Sequence, residues 1–494
     1  MPSLCFQLPP GILPSEHNAL LGQVGLCSGP SADAFPELTF RAIEGESLTI
    51  RSEGTESCHL LAPWLIEGKG RVLLKTATLS PDFSPYGLLI ELARGKIHQI
   101  YSIVSDMTYR GLKIRDFVPR LIEKATKSFG KALTSSSIGE CTIYANDSIR
   151  LASQAADAYL EDYQNYLIPL KSQGSGKVDT VLSFTLRGRI PNPDQTAVLR
   201  KAFSGVSICI PWSRLQTGKA NWNWEPLDST LAWARSHGFS ITIGPILTPD
   251  PQLIPAWLLD SKIDVNSVAA HISRFVDQLL RRYISLGFVG RFNIINSGNV
   301  AQVGEFSEDE WLRLSWQALD AAKQVEGPNE ITMGIRQPWG EIMAIEARDH
   351  NPADYLDTLI RSVGNISSVE IETLTGRITG STHWRDFLDY YRLPEIYYGI
   401  SQKPIKVVMA LPSSEMSEAS GLNSIDGFSG KTQAQFMSRL GRIFAASPYV
   451  NEFRWHQTFE DDAGGVVGAG LFDLSGNPKQ IIEACMQLRQ DVIR

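Results

Sequence analysis

The chain has 494 residues, which is too long for one ordinary domain and suits two or three. Hydrophobic residues make up 43% of it and charged residues 20%, a globular composition that excludes disorder as the default state. The formal net charge of −7 argues against nucleic acid or an anionic membrane as a partner.

The N-terminal segment and the cysteines predict a cytoplasmic protein without a cofactor. The chain begins MPSLCFQLPP, with neither a basic nor an apolar segment, so we expect no signal peptide. No apolar run approaches the roughly 20 residues that span a bilayer. The six cysteines lie far apart, form no CxxC pair and have no histidine at metal-ligand spacing. We therefore expect buried, reduced thiols, with a structural disulfide as the alternative.

Residues 1–83 carry short β-rich runs separated by glycine and Ser-Pro turns. Strands at this spacing are typical of a small β-sandwich, here predicted to be a carbohydrate-binding-like domain. The four runs are Leu38–Ala42, Ser47–Arg51, His59–Leu65 and Arg71–Thr78.

Helical spacing replaces the short strands over residues 84–173. Apolar residues recur at intervals of three and four from Tyr86 to Arg110, which predicts an amphipathic helix. Two more helices are predicted at about Ile114–Leu133 and Ile149–Leu170. A Gly/Ser-rich linker at 171–177 ends this helical connecting segment.

Strand-like and helical segments alternate over residues 178–494. Eight strand–helix units in about 310 residues predict a (β/α)8 barrel, with α/β as the fold class. An open doubly wound sheet would carry a glycine-rich phosphate turn after its first strand, where this chain has Arg-Gly-Arg-Ile-Pro. The predicted strands are Val181–Leu186, Val206–Ile210, Ser240–Gly244, Arg291–Asn296, Glu330–Ile335, Ser368–Thr373, Ile405–Ala410 and Glu452–Gln457.

Five motifs follow one another through the predicted barrel: Trp224–Gly238, Pro255–Leu258, Phe292–Asn296, Lys403–Val408 and Gly470–Lys479. In this order they resemble motifs of glycoside hydrolase family 10, the xylanase-type retaining enzymes. The matching family motifs are the helix ahead of the third strand, "P-x-W-L", "W-D-V-V-N-E", "K-P-I-x-I-T-E-L-D" and "G-L-x-D-x-x-G-x-P-K". The resemblance implies the barrel fold and a carbohydrate, an oligo- or polysaccharide, as substrate or ligand.

The catalytic positions of that family depart from its pattern. Its acid/base glutamate aligns with Ser297 and its nucleophile glutamate with Met409. A retaining glycosidase needs two carboxyl groups about 5–5.5 Å apart. Arg214, at the place of a substrate-binding lysine, keeps a comparable charge. The resemblance therefore does not imply the xylanase mechanism.

The whole layout also resembles a group of family-10-like proteins of planctomycete-type bacteria, which have an N-terminal β-sandwich, helices and a barrel. The matching residues are Glu91–Lys96, Gln337–Glu341, Val369–Glu372 and Trp455. This resemblance implies relatives without implying a reaction.

Two carboxylates are the catalytic candidates, because chemistry in a β/α barrel lies at the C-terminal ends of the strands. Glu341 follows the fifth strand, where the alternative is a solvated loop residue. Glu370 and Glu372 alternate with apolar residues on the sixth strand, so both are expected to point into the lumen. We expect burial to raise the pKa of Glu372 for an acid role. The alternative is a lumen salt bridge with Arg336 or Arg214.

Further residues at the strand ends are candidates for sugar binding. Asn296 and Asn299 are hydrogen-bonding candidates, with a turn-forming role as the alternative. Trp455 is either a platform under the sugar or barrel packing. The other candidates are Arg214, Gln337, Trp339 as a stacking ring, and Glu460 in an acidic loop that is typical of a solvated run.

Two hypotheses for the function remain open. The first is a glycosidase that has relocated its carboxylates to Glu341 and Glu372. The second is a non-catalytic carbohydrate-binding or scaffold protein, a pseudoenzyme that kept the barrel and lost its acids. The missing glutamates at Ser297 and Met409 favour the second, and the inward-facing Glu372 favours the first. A separation of about 4–10 Å across one open pocket would support the catalytic pair.

Overall fold

The computed structural model describes residues 3–10, 24–28, 35–37, 39–51, 57–259, 263–287, 290–327, 329–364, 366–375, 385–414 and 428–494. Seven N-terminal strands lie within them: β1 (Ser3–Gln7), β2 (Gly25–Ser28), β3 (Phe40–Glu44), β4 (Ser47–Arg51), β5 (Cys58–Ile66), β6 (Gly70–Lys75) and β7 (Tyr86–Gly87).

The seven N-terminal strands form two small sheets, ordered β3-β4-β1-β7 and β2-β5-β6. Alternate residues of both sheets bury their side chains in one shared core, for example Phe6 and Ile50 from the first and Leu60 and Leu74 from the second. The four predicted runs correspond to β3–β6, while β1, β2 and the two-residue β7 were not predicted. The predicted residue Leu38 lies outside the described residues.

Three long helices follow: α1 (Leu88–Tyr109), α2 (Phe117–Thr134) and α3 (Ile138–Lys171). The third begins eleven residues before the predicted start, with the Ser137 hydroxyl accepting a hydrogen bond from the Glu140 amide as its N-cap. Its first turns expose Ile138 and Ile143, so they lack the one-sided apolar pattern on which the prediction relied.

Eight parallel strands then close into a barrel, ordered β8, β9, β12, β13, β14, β15, β16 and β17, with β17 pairing back to β8. The (β/α)8 fold is confirmed, and each predicted strand lies within two residues of an observed one. The strands are β8 (Val181–Leu186), β9 (Gly205–Ile208), β12 (Ser240–Ile243), β13 (Arg291–Ile295), β14 (Glu330–Arg336), β15 (Ser368–Leu374), β16 (Ile405–Ala410) and β17 (Val450–Trp455).

Helices surround the barrel, and one two-stranded hairpin interrupts it after β9. The hairpin is β10 (Gln216–Gly218) and β11 (Asn221–Trp222). The helices are α4 (Pro193–Ala202), α5 (Trp212–Leu215), α6 (Glu225–Ser236), α7 (Val265–Ser285), α8 (Glu308–Lys323), α9 (Pro352–Val363), α10 (Phe387–Ser401), α11 (Gly430–Ala446) and α12 (Gln480–Asp491).

Alternation along each barrel strand separates an apolar outer face from a polar inner one. On β8, Leu182, Phe184 and Leu186 join the hydrophobic core against the helices, while Ser183 and Thr185 are buried on the opposite side. Barrel interiors are usually filled by bulky branched side chains. This lumen is instead filled by hydroxyl, amide and charged groups that bond to one another.

The N-terminal part contacts the barrel at the loops after its fifth and sixth strands. The Arg41 guanidinium donates to the Ala344 carbonyl at 2.6 Å, and Leu73 forms a β-bridge with Arg385. A buried ion pair of 2.7 Å joins Lys96 of α1 to Asp386, the N-cap of α10. The division into domains at residues 1–83, 84–173 and 178–494 stays a prediction.

Candidate functional site at the open end of the barrel

Glu372 lies at the C-terminal end of the sixth barrel strand and binds three side chains. Its Oε2 accepts hydrogen bonds from Arg336 Nε at 2.5 Å and Ser297 Oγ at 3.3 Å, and its Oε1 lies 3.1 Å from His456 Nδ1. The carboxylate is thus held from three neighbouring strand ends. The predicted lumen salt bridge with Arg336 is present.

The pKa of Glu372 is shifted in the direction opposite to the expected one. Burial raises the pKa, but the charge of Arg336 and the hydrogen bond from His456 outweigh burial and hold it well below its ordinary value. The expectation of a raised pKa was wrong, because two donors stabilise the ionised form. Glu372 is a carboxylate at neutral pH.

His456 links Glu372 to Arg187, which follows the first barrel strand. Arg187 Nη2 lies 3.0 Å from His456 Nε2. Because a guanidinium can only donate, Nε2 must accept, and the ring proton must lie on Nδ1, where it is donated to Glu372. The imidazole is therefore neutral. Burial and the nearby arginines agree with this, since together they lower the pKa of His456 to about 4.

Two further ionic layers fill the lumen below Glu372. In the middle, Arg454 pairs with Glu370 and donates to Ser207 at 2.8 Å, and Asn296 donates to Glu370 at 3.0 Å. Burial raises the pKa of Glu370, and the charge of Arg454 opposes this rise. Glu370 therefore faces the lumen, as predicted.

The lowest layer pairs Lys406 with Glu452 at 3.6 Å. Ser183 donates to Glu452 at 2.6 Å, and Lys406 donates to Thr332 at 3.1 Å. Burial opposes ionisation of Glu452, but Lys406 and Arg454 lower its pKa to about 2. This layer closes the end of the barrel away from the site.

Buried polar atoms without a hydrogen-bond partner gather at the ends of four strands. Among the described residues they include Arg187 Nε after β8, Thr248 Oγ1 after β12, Asn296 Oδ1 after β13 and Gln337 Oε1 after β14. The segment around Thr248 runs beside β13. The backbone N–H of Asn296 donates a hydrogen bond to the backbone carbonyl of Leu247, at 3.0 Å. Each such atom costs about 1–3 kcal/mol unless a ligand or water satisfies it.

The backbone is strained at two of these strand ends. Ser297 has φ 67° and Gln337 has φ 54°, in the left-handed region that non-glycine residues rarely occupy. Ser297 is followed by Gly298, where a Cβ atom would lie 2.1 Å from the Tyr355 hydroxyl. Such strain collects at functional sites, where the surrounding structure holds it in place.

Glu341 is half-buried, and its carboxylate has a different environment from that of Glu372. Burial raises its pKa, and its charged and phenolic neighbours are Arg385, Tyr390 and Tyr397. Its Oε2 has no hydrogen-bond partner within the described residues. Over the same residues it shares no hydrogen-bonding partner with Glu372, and it is not the solvated loop residue of the alternative.

The two asparagines after the fourth strand have separate roles. Asn296 donates to Glu370 and keeps its carbonyl oxygen unpaired, whereas Asn299 exchanges two hydrogen bonds with the backbone of Arg336, at 2.7 and 3.0 Å. Asn299 thereby fixes the end of β14, while the Oδ1 of Asn296 has no hydrogen-bond partner among the described residues.

The aromatic candidates are engaged by other side chains. Trp339 is half-buried, with the Arg385 guanidinium 4.8 Å from its ring centre and Tyr390 against its edge at 5.1 Å. Trp455 is fully buried on the outer face of β17 and donates to the Ala469 carbonyl at 2.7 Å. Trp455 does not face the lumen.

The remaining predicted positions lie around the rim or in the core. Arg214 is exposed and donates to the Arg187 carbonyl at 3.3 Å. Glu460 pairs with Lys479 at 2.6 Å. Met409 packs in the hydrophobic core on the outer face of β16. The alignment of Ser297 and Met409 with the family's catalytic glutamates stays a prediction.

A cavity of about 710 Å³ lies elsewhere, between α1, α10 and the N-terminal sheets. Its lining includes Lys96, Trp339, Arg385 and Asp386, but neither Glu372 nor Glu341. The described residues contain no cluster of three or more His, Cys, Asp or Glu side chains suited to a metal ion. Over those same residues, every helix is too short or too polar to cross a membrane.

The comparisons with known proteins concern the barrel. Neither a protein-family model nor a curated protein matches the chain. Similar solved structures include xylanase 10B from Thermotoga petrophila in complex with xylobiose, with 12% identity, a TM-score of 0.48, and 63% of this chain and 94% of that chain covered. Another is a GH10 endoxylanase retrieved from a sugarcane soil metagenome, with 13% identity, a TM-score of 0.46, and 63% and 97% covered. The likeness is one of fold.

Arg187, Thr248 and His456 were not predicted as site residues. The signal for Arg187 was the alternation of β8, which places Ser183, Thr185 and Arg187 on one face. Thr248 carried no such signal, because it follows the end of β12 and reaches the site through a loop that rejoins β13.

Proposed function

We propose that the protein binds a carbohydrate at the open end of the barrel, and that Glu372 orders this site without reacting. The observation that carries the proposal is the set of buried polar atoms without partners at four strand ends. Because ligands of β/α barrels bind at this face, a bound molecule that hydrogen-bonds these atoms would remove their cost.

The chemistry of the unpartnered atoms suits a polyol. Asn296 and Gln337 offer carbonyl oxygens, and Thr248 offers a hydroxyl. A sugar hydroxyl both donates and accepts, so it can satisfy either kind of group. The five motifs that resemble glycoside hydrolase family 10 support a carbohydrate over other polyols.

Binding is favoured over hydrolysis because the two predicted carboxylates have separate sets of contacts. Hydrolysis needs two carboxyl groups on either side of one bond. Both oxygens of Glu372 are engaged by Arg336, His456 and Ser297, and Glu341 has other neighbours. The contacts therefore suit a carboxylate that holds the strand ends in place.

Hydrolysis remains the second candidate for one specific reason. The pKa of Glu341 is raised by burial, whereas that of Glu372 is lowered by Arg336 and His456 against the effect of burial. A pair of carboxyl groups with pKa values moved apart is the pattern of a general acid and an ionised nucleophile. In that case Glu341 would donate the proton and Glu372 would attack.

The test is Glu372→Gln, compared with Glu341→Gln, in assays of oligosaccharide binding, turnover and thermal stability. We expect the wild type to bind without measurable turnover, and Glu372→Gln to unfold more easily by about 3–5 kcal/mol, because Arg336 loses its buried partner. Wild-type turnover that falls about 10²–10⁴-fold in Glu372→Gln, at unchanged stability, would contradict the proposal and establish hydrolysis.

A further inference from the structure

We propose that the ligand of this site is an acidic saccharide, whose carboxylate is bound by Arg187 and Arg336. The inference rests on the proposed function and names the class of sugar. It follows from the balance of buried charge along the lumen and from the hydrogen-bond donors that remain free at its open end.

Charge is balanced in the lower lumen and unbalanced at the open end. The two lower layers hold two buried cations, Lys406 and Arg454, against the buried carboxylates Glu370 and Glu452. The upper layer holds two arginines against Glu372 alone, since His456 must be neutral to accept from Arg187.

Arg187 has no carboxylate within ion-pair distance in the described part of the chain. It is 7% exposed, and its partners are the neutral His456 and, at 3.7 Å, the Cys209 thiol. Within the described residues, its buried Nε–H has no hydrogen-bond acceptor. A buried cation without a counter-charge is costly, so a bound anion would be strongly favoured at this position.

Arg336 also keeps donors for a ligand. Within the described ranges, only its Nε makes a side-chain hydrogen bond, to Glu372. Its side chain is 11% exposed, compared with 4% for that of Glu372. The Nη groups make no hydrogen bond within the described residues and are not fully buried, so they can donate to a ligand at the open end of the barrel. His456 and Glu372 connect the two guanidinium groups, so both belong to one cluster.

Among the described residues, the nearby acidic side chains form no ion pair with Arg187. The Asp462 carboxylate feels the charge of Arg187, but its Oδ2 accepts the backbone amides of Thr458 and Phe459, each at 3.0 Å. Asp461 pairs with the exposed Arg189 at 3.0 Å. The open position beside Arg187 thus suits an oxyanion from a ligand.

A sugar carboxylate fits these donors better than a hydroxyl. Guanidinium and carboxylate groups form parallel, charge-assisted hydrogen bonds, which are about twice as strong as neutral ones. Phosphate shares this chemistry, and it is distinguished from a sugar carboxylate by experiment.

The experiment measures calorimetric binding of glucuronate, galacturonate and mannuronate disaccharides, each beside its neutral methyl ester, and of inorganic phosphate. We expect at least one free acid to bind about 10- to 100-fold more tightly than its ester, the effect of a charge-assisted contact. Arg187→Met should abolish this preference. The control Arg189→Met, which removes the adjacent exposed arginine, should keep it.

Each outcome separates this inference from the proposed function. Equal binding of acid and ester would overturn the acidic ligand and leave carbohydrate binding intact. Binding of phosphate without any saccharide would overturn both, as would binding of none of the probes. If Arg187→Met fails to fold, Arg187→Lys serves instead. A lysine keeps the charge but loses the paired donors of the guanidinium, so it should weaken the preference for the acid over the ester. The comparison of acid with ester on the wild-type protein tests the inference whether or not these variants fold.

Discussion

Four side chains at the open end of the barrel fix one another's protonation. Arg187 can only donate, so His456 accepts at Nε2 and donates from Nδ1 to Glu372, whose other oxygen binds Arg336. Adding a proton to His456 would break its bond with Arg187. The arrangement therefore links the stability of the protein to pH.

We predict that stability falls below neutral pH because of His456. Its pKa is about 4 in the folded protein against 6.5 ordinarily, owing to burial first and the arginines second. Between these values the unfolded chain binds a proton that the folded one does not, so the free energy of unfolding falls as pH drops. The loss between about pH 7.5 and 5 is on the order of 2 kcal/mol.

Chemical denaturation across that range measures this loss, with His456→Gln as the variant. Glutamine can donate to Glu372 and accept from Arg187 without titrating, so its stability should depend less on pH. His98→Gln removes an exposed histidine of α1 and serves as the control. An unchanged pH dependence in His456→Gln would show that the imidazole is not the source.

At the residue scale the sequence predicted the direction of side chains better than their ionisation. Alternation placed Glu370 and Glu372 in the lumen and suggested Arg336 as a partner, and the structure agrees. The pKa of Glu372 was mispredicted because burial was considered without the opposing charge of Arg336 and the hydrogen bond from His456, which comes from a strand far away in sequence. Such a contact leaves no periodic signal.

At the scale of elements, α1 docks on β6 through a glycine. A Cβ atom at Gly95 would lie 2.0 Å from the Lys75 carbonyl oxygen, so the helix and strand can approach this closely only without a side chain. The neighbouring Lys96 is then placed to reach Asp386. Packing thus explains Gly95 and Lys96 of the Glu91–Lys96 motif.

We predict that Gly95→Ala lowers the free energy of unfolding by an amount at the upper end of about 1–3 kcal/mol, because backbone atoms cannot move aside cheaply. Gly130→Ala is the matched control in α2, where an added Cβ would meet nothing within 4 Å. It should stabilise the protein by about 0.5–1 kcal/mol, since alanine favours helix. Equal effects in urea denaturation would refute this packing role.

Periodicity located the strands and most helices but not the loops that complete the site. All eight barrel strands were predicted because each has alternating or continuous apolar residues over its length. The start of α3 was missed because its first turns expose apolar residues. Thr248 was missed because a loop carries it to β13.

At the scale of the whole molecule, the buried pair of Lys96 and Asp386 joins the helical segment to the barrel. Lys96→Met should lower the free energy of unfolding by about 3–5 kcal/mol, since the buried Asp386 would lose its counter-charge. Adding Asp386→Asn should restore part of the loss. The control Lys127→Met breaks an exposed pair with Glu123 and should cost under about 1 kcal/mol. Equal losses for both lysines would contradict the joining role.

Among the described residues, a saccharide could bind at the open end of the barrel or in the cavity of about 710 Å³ beside α1 and α10. A crystal structure with the tightest-binding saccharide distinguishes them directly. We predict ordered sugar at the strand ends, within hydrogen-bonding distance of Thr248, Asn296 or Gln337. Sugar ordered only in the cavity beside α1, with the strand ends unchanged, would contradict the proposed function.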